Sequence, residues 1–133
     1  MLEDNYRIDS PLSAFDYSFH TPLSVDDCIE RISRLPCEFL FKDIFLTTVL
    51  WYKCEAISQN CLLITFTGGT FRRPRHTQYV ANFYAGVAGT IITMHFHREW
   101  LLYPLPIKFF CPFTATQEIE ALMKQKLSAE RTN

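Results

Sequence analysis

The chain has 133 residues, which is enough for one ordinary hydrophobic core. Hydrophobic residues make up 48% of it, charged residues 20%, and its formal net charge is −1. These values exclude a largely disordered chain and argue against a broadly basic nucleic-acid-binding protein. We expect a single domain over residues 1–133, with a polar lead-in over residues 1–13 and a frayed tail over residues 128–133.

The cysteines give no sign of a disulfide framework or a zinc ribbon. They are five in number, no two of them stand in a CxxC motif, and their spacing is wide. We expect reduced thiols that pack as small apolar side chains. The first ten residues are polar and acidic, unlike a secretory signal peptide, so the sequence predicts a cytoplasmic protein.

The front of the chain predicts a strand and then a helix. Aromatic residues alternate over residues 15–21, which is typical of a strand. Ser24 is a suitable N-cap, and apolar residues recur at helical spacing as far as Leu35, which precedes a proline. We therefore predict a helix over residues 24–35.

The remainder predicts several strands and a final helix. Residues 37–44 are apolar without a clear alternation and receive no assignment. Strand-forming residues separated by turn signals predict strands over residues 47–57, 61–67, 77–85 and 90–97. An apolar stripe opposite charged residues predicts a helix over residues 116–127.

Consecutive strands with short turns, and helices at the two ends, predict an α+β fold. We expect two layers: a curved antiparallel sheet of about five or six strands, with the helices over residues 24–35 and 116–127 on one face.

Two apolar stretches raise the question of a membrane. Residues 76–97 contain no Asp, Glu, Lys or Arg and are long enough to cross a bilayer as a helix. Their β-branched and aromatic residues favour two paired strands instead of a transmembrane span. Residues 100–113 contain three prolines, which exclude a regular helix, and are predicted to pack on the core or to form an exposed docking strip.

A basic segment is the first candidate site. Residues 1–70 carry five basic and ten acidic residues, whereas residues 71–133 carry eight and four. The candidate positions are Arg72, Arg73, Arg75 and His76. Because guanidinium groups pair well with carboxylates and phosphates, these residues predict contact with an anion or with an acidic partner surface. The alternative is that folding interleaves the charges into a balanced surface.

Aromatic residues on the predicted strands are a second candidate. Trp51, Tyr79, Phe83 and Trp100 could line a pocket for an apolar, lipid-like ligand. Aromatic side chains bury a large area, and the same residues would also fill an ordinary core, which is the reading that we favour.

A third candidate is a metal site in the last predicted strand. His95, His97 and Glu99 alternate and would share one face of that strand. Two imidazoles and a carboxylate suit a divalent transition metal. Because three ligands from one strand rarely converge, we favour a strand in which Met94 and Phe96 face the core and the histidines face solvent or a groove.

The back half resembles a group of small uncharacterised bacterial α+β proteins. The resemblance rests on residues 70–73 (TFRR), on Phe83 and Gly86, and on residues 89–92 (GTII) followed by Phe96. It implies a basic strand, an aromatic strand and a further strand that begins at the GT pair, and it implies no activity.

The sequence lacks nucleophile-elbow, zincin and P-loop motifs, so a binding role is favoured over an enzyme. We predict a small cytoplasmic interaction protein, of an immunity or accessory type, that engages a protein partner without a cofactor. The alternatives are a metal-dependent enzyme that uses His95 and His97, and a carrier of an apolar ligand.

Overall fold

The structure, a computed structural model, describes residues 16–42, 47–67, 75–101 and 116–133. In chain order its elements are β1 (Tyr17–Thr21), α1 (Val25–Ser33), β2 (Glu38–Lys42), β3 (Thr47–Ser58), β4 (Cys61–Thr67), β5 (Arg75–Gly86), β6 (Gly89–Leu101), α2 (Thr116–Leu127) and β7 (Glu130–Arg131). The fold is α+β, as predicted.

The seven strands of the described residues form one curled antiparallel sheet in the order β2-β3-β4-β5-β6-β1-β7. The prediction of five or six strands was therefore too low. β2 was missed because an apolar Leu40 between Phe39 and Phe41 hides the alternation. β7 lies in the tail that was expected to fray, where Thr132 N donates a hydrogen bond to Ser18 O at 2.8 Å beside β1.

Both helices cover the same face of the sheet, which makes two layers. Ile32 of α1 and Leu122 and Met123 of α2 are fully buried in one cluster with the aromatic residues of that face. Ser24 caps α1, and its hydroxyl oxygen accepts a hydrogen bond from Asp27 N at 3.2 Å. α1 ends earlier than predicted, and Leu35 is 82% exposed instead of extending the apolar stripe.

The face that points away from the helices, called here the outer face, has a buried centre and two exposed parts. In its centre Leu63, Val80 and His95 are buried, so that β4 has six consecutive buried residues. The face is exposed at the turn of the β5–β6 hairpin, where Tyr84 pairs with Ile91, and towards β2 and β3. The exposed part at β2 and β3 is the candidate interaction surface.

β5 and β6 form a long hairpin, which confirms the paired strands predicted within residues 76–97. Among the described residues no helix is long and apolar enough to cross a membrane. Tyr79 pairs with Phe96 and Gln78 with Arg98, so His97 is an extra residue in β6 and the strand carries a bulge there.

The tight turn of this hairpin gives a test of the fold. Gly89 has a φ of +131°, and a Cβ at this position would lie 2.0 Å from Thr21 O. We expect Gly89→Ala to lower the free energy of unfolding by about 2–3 kcal/mol, measured by urea denaturation. Gly86→Ala is the matched control, because its Cβ would meet its nearest atom at 3.5 Å, and it should cost less than about 1 kcal/mol. Equal losses for the two variants would contradict this account of the turn.

Candidate functional site

Three apolar side chains are exposed side by side on the outer face of β2 and β3. Leu40 pairs with Val49, and Trp51 is the next outward-facing residue of β3. The exposed fractions are 54% for Leu40, 43% for Val49 and 51% for Trp51. The alternation of β3 explains this placement, because Leu50 and Tyr52 occupy the core face. We call Leu40, Val49 and Trp51 the apolar strip.

Charged residues of both signs lie beside the apolar strip, where Glu38 pairs with Trp51. Lys53 follows Trp51 on the same face and forms an exposed ion pair with Glu55 at 3.1 Å. The strand register places Trp51, Thr67 and His76 in one row across β3, β4 and β5. Burial and the nearby Lys53 ammonium lower the pKa of His76, so this imidazole is neutral at pH 7 and Lys53 carries the charge.

The predicted basic segment therefore ends in the same cross-strand row as Trp51. Arg75 begins β5 next to His76, and its backbone alone is described. Arg72 and Arg73 lie outside the described residues. The link between this segment and the apolar strip comes from strand register, which a linear sequence does not display.

The backbone edge of β2 beside the apolar strip is closed by a side chain of α2. Leu40 N donates a hydrogen bond to Gln125 Oε1 at 2.8 Å, and Gln125 Nε2 donates one to Leu40 O. The amide of Gln125 thus occupies the outward-facing N–H and C=O of Leu40, which an added strand would otherwise use. A partner at this end of the sheet would consequently contact the side chains of the outer face instead of the main chain of Leu40.

An open groove of about 670 Å³ continues the apolar strip past the edge of the sheet. Leu40 and Val49 line it together with Leu35, which follows α1. Its rim is charged, and Glu30 and Arg34 form an exposed ion pair there at 2.5 Å. The groove thus connects the apolar strip with a mainly polar and charged surface at the end of α1.

His95, predicted to face solvent or a groove, is instead buried in the centre of the outer face. Its Nδ1 lies 3.1 Å from Asp16 Oδ2, and the two side chains are 2% and 0% exposed. Asp16 Oδ1 accepts a second hydrogen bond from Phe96 N at 2.8 Å. Because a carboxylate only accepts hydrogen bonds, this arrangement requires the imidazole to carry a proton on Nδ1.

The bulge in β6 separates the three metal-ligand candidates. His95 pairs with Val80 and Glu99 with Thr77, and these two partners belong to opposite faces of β5. His97 is the half-buried extra residue between them. The candidates therefore lose the common register that strict alternation predicted. Met94 is buried on the core face and Phe96 packs against the core, as expected. In the described ranges no three His, Cys, Asp or Glu residues are grouped to hold a metal ion.

The four aromatic pocket candidates do not come together. Tyr79 and Phe83 are buried on the core face, where the Tyr79 ring lies edge-on to Phe66 with centroids 6.2 Å apart. Trp51 is exposed on the opposite face. Trp100 is placed by backbone pairing with His76 alone. Tyr79 and Phe83 thus contribute to a packed aromatic core, which is the reading that the sequence favoured.

Sequence reasoning missed several residues of these sites. Lys53 and Val49 could have been found, because alternation through residues 47–57 places them on the face of Trp51. Asp16 gives no local signal, since its partner His95 is 79 residues away in the chain. Arg98 was also missed, and its Nε donates a hydrogen bond to Gln78 Oε1 at 2.7 Å, while Gln78 Nε2 donates to Thr65 Oγ1 at 3.0 Å.

Comparisons with protein-family models, with curated proteins and with solved structures found no match to this chain. The resemblance to small bacterial proteins stays a prediction.

The carboxylate of Asp16 gives a second stability test. Asp16→Ala would leave His95 Nδ1 and Phe96 N buried without their acceptor, so we expect the free energy of unfolding to fall by about 2–5 kcal/mol. Asp16→Asn keeps an acceptor for Phe96 N and should cost less, about 1–2 kcal/mol. Urea denaturation measures both. A loss below about 0.5 kcal/mol for Asp16→Ala would contradict the role assigned to this carboxylate.

Proposed function

We propose that the protein is a small cytoplasmic interaction protein, of an accessory or immunity type, that engages a protein partner through the apolar strip. The observation that carries this proposal is the exposure of Leu40, Val49 and Trp51 on one end of an outer face whose centre is buried. Scattered exposed apolar residues are ordinary, but these three are contiguous across two paired strands. Tryptophan is also the residue type most enriched among the energetic centres of interfaces.

The closed edge of β2 supports docking by side chains. Gln125 is bound to both main-chain groups of Leu40, so these groups do not pair with a strand of the partner. It would instead cover the apolar strip and the adjoining groove next to Leu35. Shape-complementary packing of this kind has an apolar centre and a polar rim.

The charges next to the strip indicate the chemistry of the partner. Lys53, which is paired with Glu55, and the predicted basic residues Arg72, Arg73 and Arg75 favour an acidic rim on the partner at this side. Such charges accelerate association and make it sensitive to salt more than they add affinity.

The proposal predicts that substitutions on the outer face of β3 weaken or slow the binding of the partner. We expect immobilised wild-type protein to enrich a partner from an extract of the source cells, and Trp51→Ala to lower the measured affinity at least about 30-fold, since central aromatic truncations cost 2 kcal/mol or more. Lys53→Glu should slow association and flatten its salt dependence. Quantitative mass spectrometry identifies the partner, and titration calorimetry with the purified partner gives the affinity.

Two matched controls keep this test specific. Ile91→Ser removes an apolar residue that is 42% exposed at the other end of the sheet, and Lys124→Glu reverses an exposed charge on α2. Both controls should bind as wild type. Full binding by the double variant Trp51→Ala, Lys53→Glu would refute the proposal.

A metal-dependent enzyme is the second candidate, and the His95–Asp16 pair favours it. Ligating histidines commonly donate their second ring N–H to a carboxylate, which orients the ring, and catalytic histidines are held in the same way. Asp16 would hold His95 Nδ1 and leave Nε2 as the coordinating atom, with His97 as the other predicted ligand.

This candidate predicts a divalent transition metal that depends on the histidines. Protein purified without chelators or affinity tags should hold close to one metal ion per chain by plasma mass spectrometry, and the His95→Ala, His97→Ala double variant should hold none. An equal metal content in the two proteins, or none in either, would remove the metal-dependent candidate and would leave the interaction proposal untouched.

A further inference from the structure

Three polar side chains from outside α1 meet at its last turn. Tyr52 Oη donates a hydrogen bond to Ile32 O at 2.5 Å. Cys54 Sγ donates to the same carbonyl oxygen at 3.7 Å, and Cys37 Sγ donates to Arg34 O at 3.8 Å. The final carbonyls of a helix lack partners within the helix, so these side chains cap its C-terminal end.

The backbone places the two thiols in neighbouring positions on the core face. Tyr52 N donates to Cys37 O at 3.1 Å, so Cys37 lies opposite Tyr52 and extends the β2–β3 pairing by one residue. Cys54 is the next residue of β3 on that face. The two cysteines form a diagonal cross-strand pair, with Cα atoms typically about 7–8 Å apart and Cβ atoms closer.

This separation is just beyond that of a disulfide, which usually spans a Cα distance of 4.4–6.8 Å. Cys37 lies at the start of the edge strand β2, so it has a neighbouring strand on one side only, whereas Cys54 lies within β3 between two strands. Both sulfurs lie against carbonyl oxygens at the C-terminal end of α1, and a disulfide between them requires Cys37 to move towards Cys54.

The other described cysteines are in different surroundings. Cys28 lies in the core and Cys61 in the small outer-face cluster, and both are almost fully buried. Cys37 and Cys54 are each half-buried. Burial, followed by the neighbouring Cys37, raises the pKa of Cys54 to about 12, so Cys54 keeps its proton at pH 7 and reacts second.

We propose that Cys37 and Cys54 are a reversible dithiol–disulfide pair that responds to the glutathione couple. The Cys37 thiolate attacks glutathione disulfide, which forms a mixed disulfide and releases one glutathione thiolate. The Cys54 thiolate then attacks the Cys37 sulfur, and the second glutathione thiolate leaves. The two cysteine protons end on the two glutathione molecules, so the chain loses two electrons and glutathione disulfide gains them.

Disulfide formation changes how the end of α1 is held. It removes both S–H donors, so Tyr52 alone remains bound to Ile32 O among these three side chains, and Arg34 O loses the Cys37 thiol. A covalent link between Cys37 and β3 replaces the two weak hydrogen bonds. This inference does not depend on the proposed partner surface.

The test is an equilibrium titration of the full chain in glutathione buffers of increasing oxidised fraction. We expect the number of alkylatable thiols to fall from five to three, and a proteolytic digest to contain one disulfide-linked pair of peptides, carrying Cys37 and Cys54. Starting from the mixed disulfide at Cys37, ring closure should accelerate about tenfold per pH unit between about pH 7 and 9, because Cys54 must first lose its proton.

Single replacements supply the controls. Cys37→Ser and Cys54→Ser should each abolish the linked peptide, whereas Cys61→Ala and Cys111→Ser should form it as the wild type does. Circular dichroism confirms that each variant is folded, and the wild-type digest decides the question by itself. Retention of all five thiols, a stable glutathione adduct on Cys37 alone, or a linkage that joins other cysteines would overturn the proposal.

Discussion

The pairing of β5 with β6 is the constraint on which the arrangement of the described residues depends. The hairpin turns at Gly89, whose backbone lies so close to Thr21 that no side chain fits there. From this turn the strands pair regularly until the bulge at His97, which shifts the following residues of β6 by one position. The register places Tyr79 in the aromatic core, His95 against Asp16 and Arg98 beside Gln78. The hairpin therefore fixes the positions of Tyr79, of the His95–Asp16 pair and of the Arg98–Gln78 pair.

The outer face of the sheet is buried in its centre and exposed at β2 and β3. The exposed part is the candidate interaction surface. The centre of that face is buried and contains the His95–Asp16 pair, and the exposed Arg98 donates a hydrogen bond to the buried Gln78 beside it. At β2 and β3 the face is open and apolar, and Gln125 closes the strand edge beside it. An edge strand with unpaired main-chain groups invites non-specific strand addition, so its closure restricts contact to the side chains of the face. Selectivity for a particular partner would then come from the apolar strip and the charges next to it.

Local sequence patterns predicted the strands and helices whose signals lie within a few residues. They did not predict features that depend on pairing with distant parts of the chain. Strand-forming residues between turn signals identified β3 to β6, alternation identified β1, and the N-cap Ser24 identified the start of α1, because these signals act within a few residues. β7 consists of two residues that pair only because β1 is available, and no sequence window reports this. The exposure of Trp51 was within reach of the alternation of β3, but the burial of His95 was not, because its carboxylate partner precedes β1. The bulge at His97 also changes the register between His95 and Glu99, so the strict alternation that predicted a shared face for the three metal-ligand candidates does not hold.

The central claim is that the open end of the outer face is the interaction surface. Hydroxyl-radical footprinting of the free protein and of its complex with the captured partner reads side-chain exposure at this end and at the opposite end in one experiment. The account predicts that oxidation of Trp51 and Leu40 falls strongly in the complex, while that of Tyr84 and Ile91, which are exposed at the other end of the sheet, stays unchanged. Unchanged oxidation of Trp51 together with protection of Tyr84 and Ile91 would contradict it.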